Sequence, residues 1–250
     1  MIVSMSKVTV LGVAHDRAAT LDALRDLGVL HVKPVVPPSG AGLEQAREKA
    51  AGLRRLLEAI PAVPDATPTG RTAFEVVAET SDLLEERKEW QDRLDALTAE
   101  IARVEPFGSF DPRAVRALAE KGIVLKLYKA PVKSRLPLPE GVTAQKLAVV
   151  KADAYWALFG REEFAWAGAE EQRLPDDPLA DMQVEADALR KGIEGTDGKL
   201  RELGGDRPLV ENLLARAEAD VKLQEVRAGM GAAEAIAYVQ GFVPADEVGK

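Results

Sequence analysis

The 250-residue chain has no cysteine and only two histidines, and aromatic residues make up 5% of it. Without cysteine there is no disulfide and no thiolate metal site, which fits a reducing compartment. His15 and His31 form no His-x-x-x-His pair, and neither has the carboxylate spacing of a metal ligand set. A basic surplus is also missing. Lys and Arg number 33 against 41 Asp and Glu, a net charge of -8, which argues against binding a phosphate backbone and suits a basic protein partner. No run approaches the roughly 18 apolar residues of a membrane span. Met1 to Lys7 lack the apolar core of a signal peptide, so the chain as given is expected to be soluble.

The motifs of common chemistries are absent as well. Gly12 follows a strand-like run, but the following residues lack the later glycines of a dinucleotide fingerprint and the Gly-Lys-Ser/Thr of a phosphate loop. No Gly-x-Ser-x-Gly elbow occurs. His15 beside Asp16 reads as part of a helix start, and His31, inside an apolar strand, as structural. The sequence therefore yields no catalytic, cofactor-binding or metal-binding residue and no cofactor.

What is present is helix-forming sequence, with 30% charged residues and 46% hydrophobic ones. Over residues 72–104, Val76, Thr80, Leu83, Trp90, Leu94, Leu97, Ile101 and Val104 recur at steps of three and four, with Arg87 in the one charged slot. Over residues 179–227, Met182, Ala186, Leu189, Ile193, Thr196, Leu200 and Leu203 keep the alternation. Val210, Leu214, Ala217 and Val221 resume it after a break at Gly204 and Gly205. That period is the seam of a coiled coil or long bundle. Neither stripe can be buried alone, so the two arms are expected to pack as an antiparallel rod. An unbroken helix over 72–104 is roughly 45–50 Å long.

Residues 7–13 and 29–32 read as strands around a helix carrying Leu21, Leu24 and Leu27 and closed by Gly28. A helix over 43–60 follows, ended by the three prolines of residues 61–70 (PAVPDATPTG). It is a possible extra member of the bundle. Thr72 and Glu75 form a capping box that restarts the helix. Asp111 with Pro112 starts another helix. Strands are expected at 123–129, 147–150 and 155–159, with a short one at 164–166. The closing strand at 235–243 is expected to return beside the two N-terminal strands.

Asp82, Glu85, Glu86, Glu89, Asp92, Asp95 and Glu100 lie mostly off the seam, as a wetted helix face does. The sharper alternative is a docking stripe for another helix. Trp90 reads as bundle core or as a partner's anchor. Arg87 on the seam, and Gly192 and Gly195 within a helix, are anomalies, since each glycine costs about 1 kcal/mol against alanine. Curvature, close helix approach or local flexibility would each account for them.

Both termini carry a family signature. Residues 5–12 (MSKVTVLG) and 24–32 (LRDLGVLHV) resemble the start of subunit I of bacterial and archaeal V-type (A-type) rotary ATPases, the counterpart of eukaryotic subunit a. Residues 238–244 (YVQGFVP) are similar to that family's Gly-Trp-Val-Pro element, with Phe242 where tryptophan is usual. The order of helical arms around a middle α/β region matches the family's soluble half. The resemblance implies a cytoplasmic fragment preceding membrane helices beyond Lys250. It also implies a non-catalytic stator collar whose lobes receive peripheral-stalk heterodimers of the E and G type. The family's ion half-channels and essential arginine belong to its membrane half.

The expected fold is α+β, with two small α/β lobes at opposite ends of a long antiparallel helical bundle or coiled coil. The proximal lobe takes residues 1–42 with 229–250, the rod arms 43–105 and 175–228, and the distal lobe 106–174. The expected function is that of a stator subunit of a proton- or sodium-translocating V/A-type rotary ATPase, at the cytoplasmic face of a membrane. Two rival readings follow from the residues: an ACT-like ligand-sensing regulator with a coiled-coil handle, and a free-standing coiled-coil adaptor. Stabilisation by an amino acid would favour the first rival. A natural stop at Lys250 would favour the second, and apolar spans beyond it the ATPase.

Overall fold

A computed structural model describes residues 3–248; Met1, Ile2, Gly249 and Lys250, the outer ends of the expected proximal lobe, lie outside the described residues. The chain opens with β1 (Met5–Val13), α1 (Arg17–Leu27), β2 (His31–Lys33), α2 (Ala41–Ala59) and α3 (Ala73–Val104). Next come α4 (Pro112–Glu120) and β3 (Val124–Pro131), β4 (Thr143–Val150), β5 (Asp153–Gly160) and β6 (Glu170–Gln172). It closes with α5 (Leu179–Glu202), α6 (Arg207–Ala228), β7 (Gly231–Ala233) and β8 (Ile236–Pro244). The class is α+β. Two compact units divide it: Met1–Asp82 with Lys199–Lys250, and Leu83–Gly198.

In the first unit the chain's last strand lies between its first two. β8 pairs antiparallel with β1, Val10 opposite Val239, and with β2, His31 opposite Phe242, while β7 folds back onto β8. Alternation turns Val10, Val32, Ala237 and Val239 onto Leu21 and Leu24 of α1, the small aliphatic core of this sheet. Gly28, at a φ of 69°, ends α1 in the left-handed region that lets the chain turn straight into β2. Gly241 has no room for a side chain, because a Cβ there would stand 2.5 Å from the carbonyl oxygen of His31.

Helices α2 and α6 of this unit run antiparallel. Arg47 pairs with Glu225 at 3.0 Å and Arg54 with Glu218 at 2.5 Å. Along the same pair of helices Ala50 and Leu53 pack in one cluster with Leu214 and Ala217, and Val77 at the start of α3 joins them. The second part of the return arm thus pairs with the 43–60 helix, which sequence periodicity alone leaves unplaced.

The connection from α2 to α3 is tied to the break between α5 and α6, a 3-10 turn at Leu203–Asp206. Asp206 is buried, and its carboxylate accepts from the Thr69 amide at 2.9 Å and from the Thr69 hydroxyl. The Arg207 guanidinium donates to the carbonyl of Leu57 at 2.8 Å and to that of Ile60, satisfying orphan carbonyls at the end of α2. Gly205 is required there: a Cβ would lie 2.3 Å from the Thr67 carbonyl oxygen. The capping box is formed. The Thr72 amide donates to Glu75 at 2.7 Å, and the Glu75 amide donates to the Thr72 hydroxyl at 3.3 Å.

In the second unit α3 and α5 are antiparallel neighbours. Arg87 donates to Asp197 at 2.8 Å and Arg93 pairs with Glu185 at 2.9 Å. Leu94, Leu97 and Val104 pack with Met182 and Ala186. The anomalies resolve here. Arg87 occupies its seam slot because Asp197 receives it. Gly192 admits the Trp90 ring, which would stand 2.6 Å from an added Cβ. Of the three explanations, close approach applies to Gly192, whereas Gly195 has nothing within 4 Å.

The sheet of this unit, in order β4-β5-β3-β6, is antiparallel throughout. One face buries Tyr128, Ala130 and Leu158 with Trp166, and the other buries Leu127 and Ala157 against Phe107. Residues 164–166 form no strand. Phe164 and Trp166 still pack on the first face beside Tyr128, the same-side placement that positions two apart would take in a strand, and the short strand falls at Glu170–Gln172.

Candidate docking surfaces

A cleft of about 330 Å³ in the second unit gathers titratable groups, but most of them are engaged in ion pairs: Arg93 with Glu185, Arg103 with Glu100 and Arg173 with Asp176. His15 and Asp16 stand 3.3 Å apart with both side chains more than half exposed. Asp16 occupies the position before α1 without accepting a capping bond. His31 is in a strand, as expected, but it faces outward and is exposed. Among the described residues no three His, Asp or Glu side chains are grouped to hold a metal ion.

The displaced pKa values have local structural causes. Asp111 is held below the usual carboxylate range chiefly by the Arg113 amide at the start of α4. Glu100 is lowered mainly by its bond from Arg103, and Glu75 by the Thr72 amide. The Glu163 carboxylate raises Lys126, and Glu171 adds to this. Burial raises the Tyr128 phenol, and its bond to Glu171 raises it further. Apart from that of Tyr128, which reflects a buried neutral phenol, each of these shifts belongs to a helix start or an ion pair. None supplies an acid and a base facing a shared space.

Surfaces shaped for a macromolecule are better developed. In the first unit α1, β2 and α6 enclose an apolar groove of about 320 Å³, floored by Leu21, Leu24, Leu30, Val32, Leu223 and Val226 with Arg25 and Lys222 among its lining. Helix spacing creates it: Leu223 and Val226 are three apart on one face of α6. On the other side of the same sheet, the positions of β1 and β8 that point away from α1 carry Met5, Leu11, Val13, Ile236 and Phe242, all exposed.

The second unit offers a smaller, more enclosed and more polar surface. A cavity of about 210 Å³ is lined by Val132, Leu136, Leu138 and Trp156, with Arg135 and Lys146. Trp166 closes its base, its indole N–H donating to the Pro137 carbonyl at 3.0 Å. The Lys146 ammonium sits 4.9 Å from the centre of the Trp156 ring, within cation–π reach.

The carboxylates along α3 behave as a wetted face. Asp82, Glu85, Glu89, Asp92 and Asp95 are exposed, while Glu86 and Glu100 are half-buried. Trp90 is half-buried against Gly192, which makes it a packing residue of its own unit. The exposed apolar positions of the first sheet were not singled out from the sequence. The sequence carries only part of the signal: β1 has apolar residues at both parities, Val8 and Val10 on one face, Leu11 and Val13 on the other, which marks two apolar faces without saying which stays open.

No helix among the described residues is long and apolar enough to cross a membrane. No protein-family model matches the chain. It is 29% identical over 276 aligned residues to V-type ATP synthase subunit I 1 of Treponema pallidum (strain Nichols), an alignment taking in 99% of this chain. The chain spans 44% of that relative's length. Among solved structures, the cytoplasmic N-terminal domain of subunit I, homolog of subunit a, of V-ATPase aligns over 97% of this chain and 94% of its own, at 17% identity and a TM-score of 0.40.

Proposed function

We propose that this chain is the N-terminal, cytoplasmic part of a subunit I of a V/A-type rotary ATPase. The observation that carries this reading is the alignment with V-type ATP synthase subunit I 1, which runs over 99% of the chain. Its function is then that of a non-catalytic stator element of a proton- or sodium-translocating complex. It braces the membrane sector against rotor torque, and the membrane-embedded part of the subunit follows Lys250. The proposed division is into two α/β lobes, residues 1–42 with 229–250 and residues 106–174, and helical arms of residues 43–105 and 175–228.

A strut of this kind transmits force rather than transforming a substrate, so it requires stiffness and attachment points. Stiffness is supported within each unit by antiparallel helix pairs with closed seams, α2 with α6 and α3 with α5. The attachment points are the two lobes, each receiving the end of an E/G-type peripheral-stalk heterodimer. Acidic helix faces suit basic or mixed partner surfaces, so association weakens as salt screens the charges.

The test is co-purification of this chain with recombinant E/G-type heterodimers at low ionic strength (~10 mM), where screening is weakest. Retention on the heterodimer, lost when either lobe is disrupted, is the expected result. No binding to either lobe at low salt overturns the stator reading.

A further inference from the structure

We propose that the open face of the first unit's sheet is a docking surface for an acidic amphipathic helix of a partner protein. This goes beyond the rotary-ATPase reading and does not depend on it. In a half-covered antiparallel sheet, alternation should place apolar residues toward the core and polar ones toward water. Here the inner face is covered by α1, and the outer face is apolar too.

Register defines that outer face. Leu11 stands opposite Tyr238, Val13 opposite Ile236, and Lys7 opposite Phe242, while His31 flanks Phe242 on its other side. Leu11 is 68% exposed and Ile236 49%. No residue of β1, β2, β7 or β8 on this face is acidic, yet it displays Lys7, Lys33 and His31 in a chain of net charge -8. The local charge is opposite to that of the whole molecule, so the complementary partner is apolar and acidic.

Dimensions point to one helix. The nine residues of β1 extend roughly 30 Å, the length of a helix of about 20 residues, and the three-strand width is close to one helix diameter of about 10–12 Å. A second copy of this chain is a poor occupant, since it would set Lys7 and Lys33 against their own copies with no acidic strand residue to meet them. An anionic bilayer would attract the two lysines but repel the acidic remainder.

The experiment uses the full chain and a fluorescent designed helix of about 20 residues, leucine and isoleucine on one face and glutamate on the other, with a lysine-for-glutamate counterpart. Fluorescence anisotropy is expected to show binding of the acidic helix alone. Leu11→Glu and Lys33→Glu should each weaken it by at least about tenfold, which is about 1.4 kcal/mol. Circular dichroism checks that both variants fold; the Lys33 variant, altering a fully polar exposed position, guards against loss of structure at Leu11. Equal binding of both helices, no binding of the acidic one, or binding indifferent to both substitutions overturns the proposal. Sedimentation with phosphatidylserine vesicles that Lys33→Glu abolishes, without helix binding, would transfer the face to lipid. A dimer dissolved by Leu11→Glu would transfer it to self-association. Either outcome overturns the helix.

Discussion

The two sheets of this protein solve the same burial problem in different ways. The first unit's sheet has a thin core of valine, alanine and leucine under one helix and leaves its other face open. The sheet of the second unit is covered on both faces, and aromatic rings do most of the covering. Tyr128 meets Trp166 edge to face at 5.8 Å between ring centres, and Trp156 meets Trp166 at 5.7 Å. Large rings let the second sheet be sealed by loops and a short helix, because each fills volume that several aliphatic side chains would otherwise have to supply. The first sheet, built from small β-branched residues, needs a helix on each side to be closed and has one.

The sharpest way to break the comparison is to remove a ring. Trp166→Ala deletes a buried indole touching two other rings, and its expected cost is about 3–5 kcal/mol. Urea unfolding followed by tryptophan emission measures it directly, since Trp90, Trp156 and Trp166 all belong to the second unit. A loss under about 1 kcal/mol would mean that the loops, not the rings, hold that face.

The first unit is expected to be most sensitive away from its sheet, at the tie between the 61–70 connection and the α5–α6 break. Asp206→Ala strands the Thr69 amide and hydroxyl, at about 1–3 kcal/mol. Gly205→Ala drives a methyl into the Thr67 carbonyl, at a similar cost of about 1–3 kcal/mol. Far-UV circular dichroism in urea reports both. If neither substitution moves the midpoint, the connection is not held by this tie.

Acid acts on both units. Glu75 in the first, and Glu100 and Asp111 in the second, have folded pKa values below their ordinary ones. Each therefore favours the folded state fully above the ordinary carboxylate pKa of about 4, and that support fades as pH falls through the lower folded value. Stability should decline between about pH 5 and pH 2, and Glu75→Ala should make the decline shallower; an unchanged acid slope would remove the capping box as its source.

The smallest effect is expected at the exposed pair of Arg54 and Glu218. Arg54→Gln should change stability by at most about 1 kcal/mol, and added salt should erase the difference. A larger, salt-independent loss would show that the arginine stem, rather than its charge, packs against α6.

Much of this fold was legible from residue spacing. The Thr72–Glu75 box, Asp111 with Pro112, and Gly28 mark element ends through bonds made within a few residues, so local sequence suffices. The seam of Leu94, Leu97 and Val104 was visible as period, and Met182 and Ala186 as its complement. The candidate surfaces were not legible. A strand such as β1 states that two faces exist, but not which one a helix will cover, so Leu11 and Val13 could not be told from Val8 and Val10. Residues 164–166 failed for a different reason: two rings two positions apart face one core in this loop just as they would in a strand, so their spacing does not separate the two.

By itself the sequence determined where helices begin and end, which residues form their seams, and that the chemistry of thiolate and imidazole metal sites is lacking. These are consequences of bonds and periodicities within a few turns of chain. The return of the closing strand to the first two was expected from the order of elements, but only the tertiary structure decided that β8 pairs with both, that α6 takes α2 as its partner, and that Asp206 holds Thr69. Each joins residues more than a hundred positions apart, where local preference is silent and burial together with polar satisfaction selects the pairing.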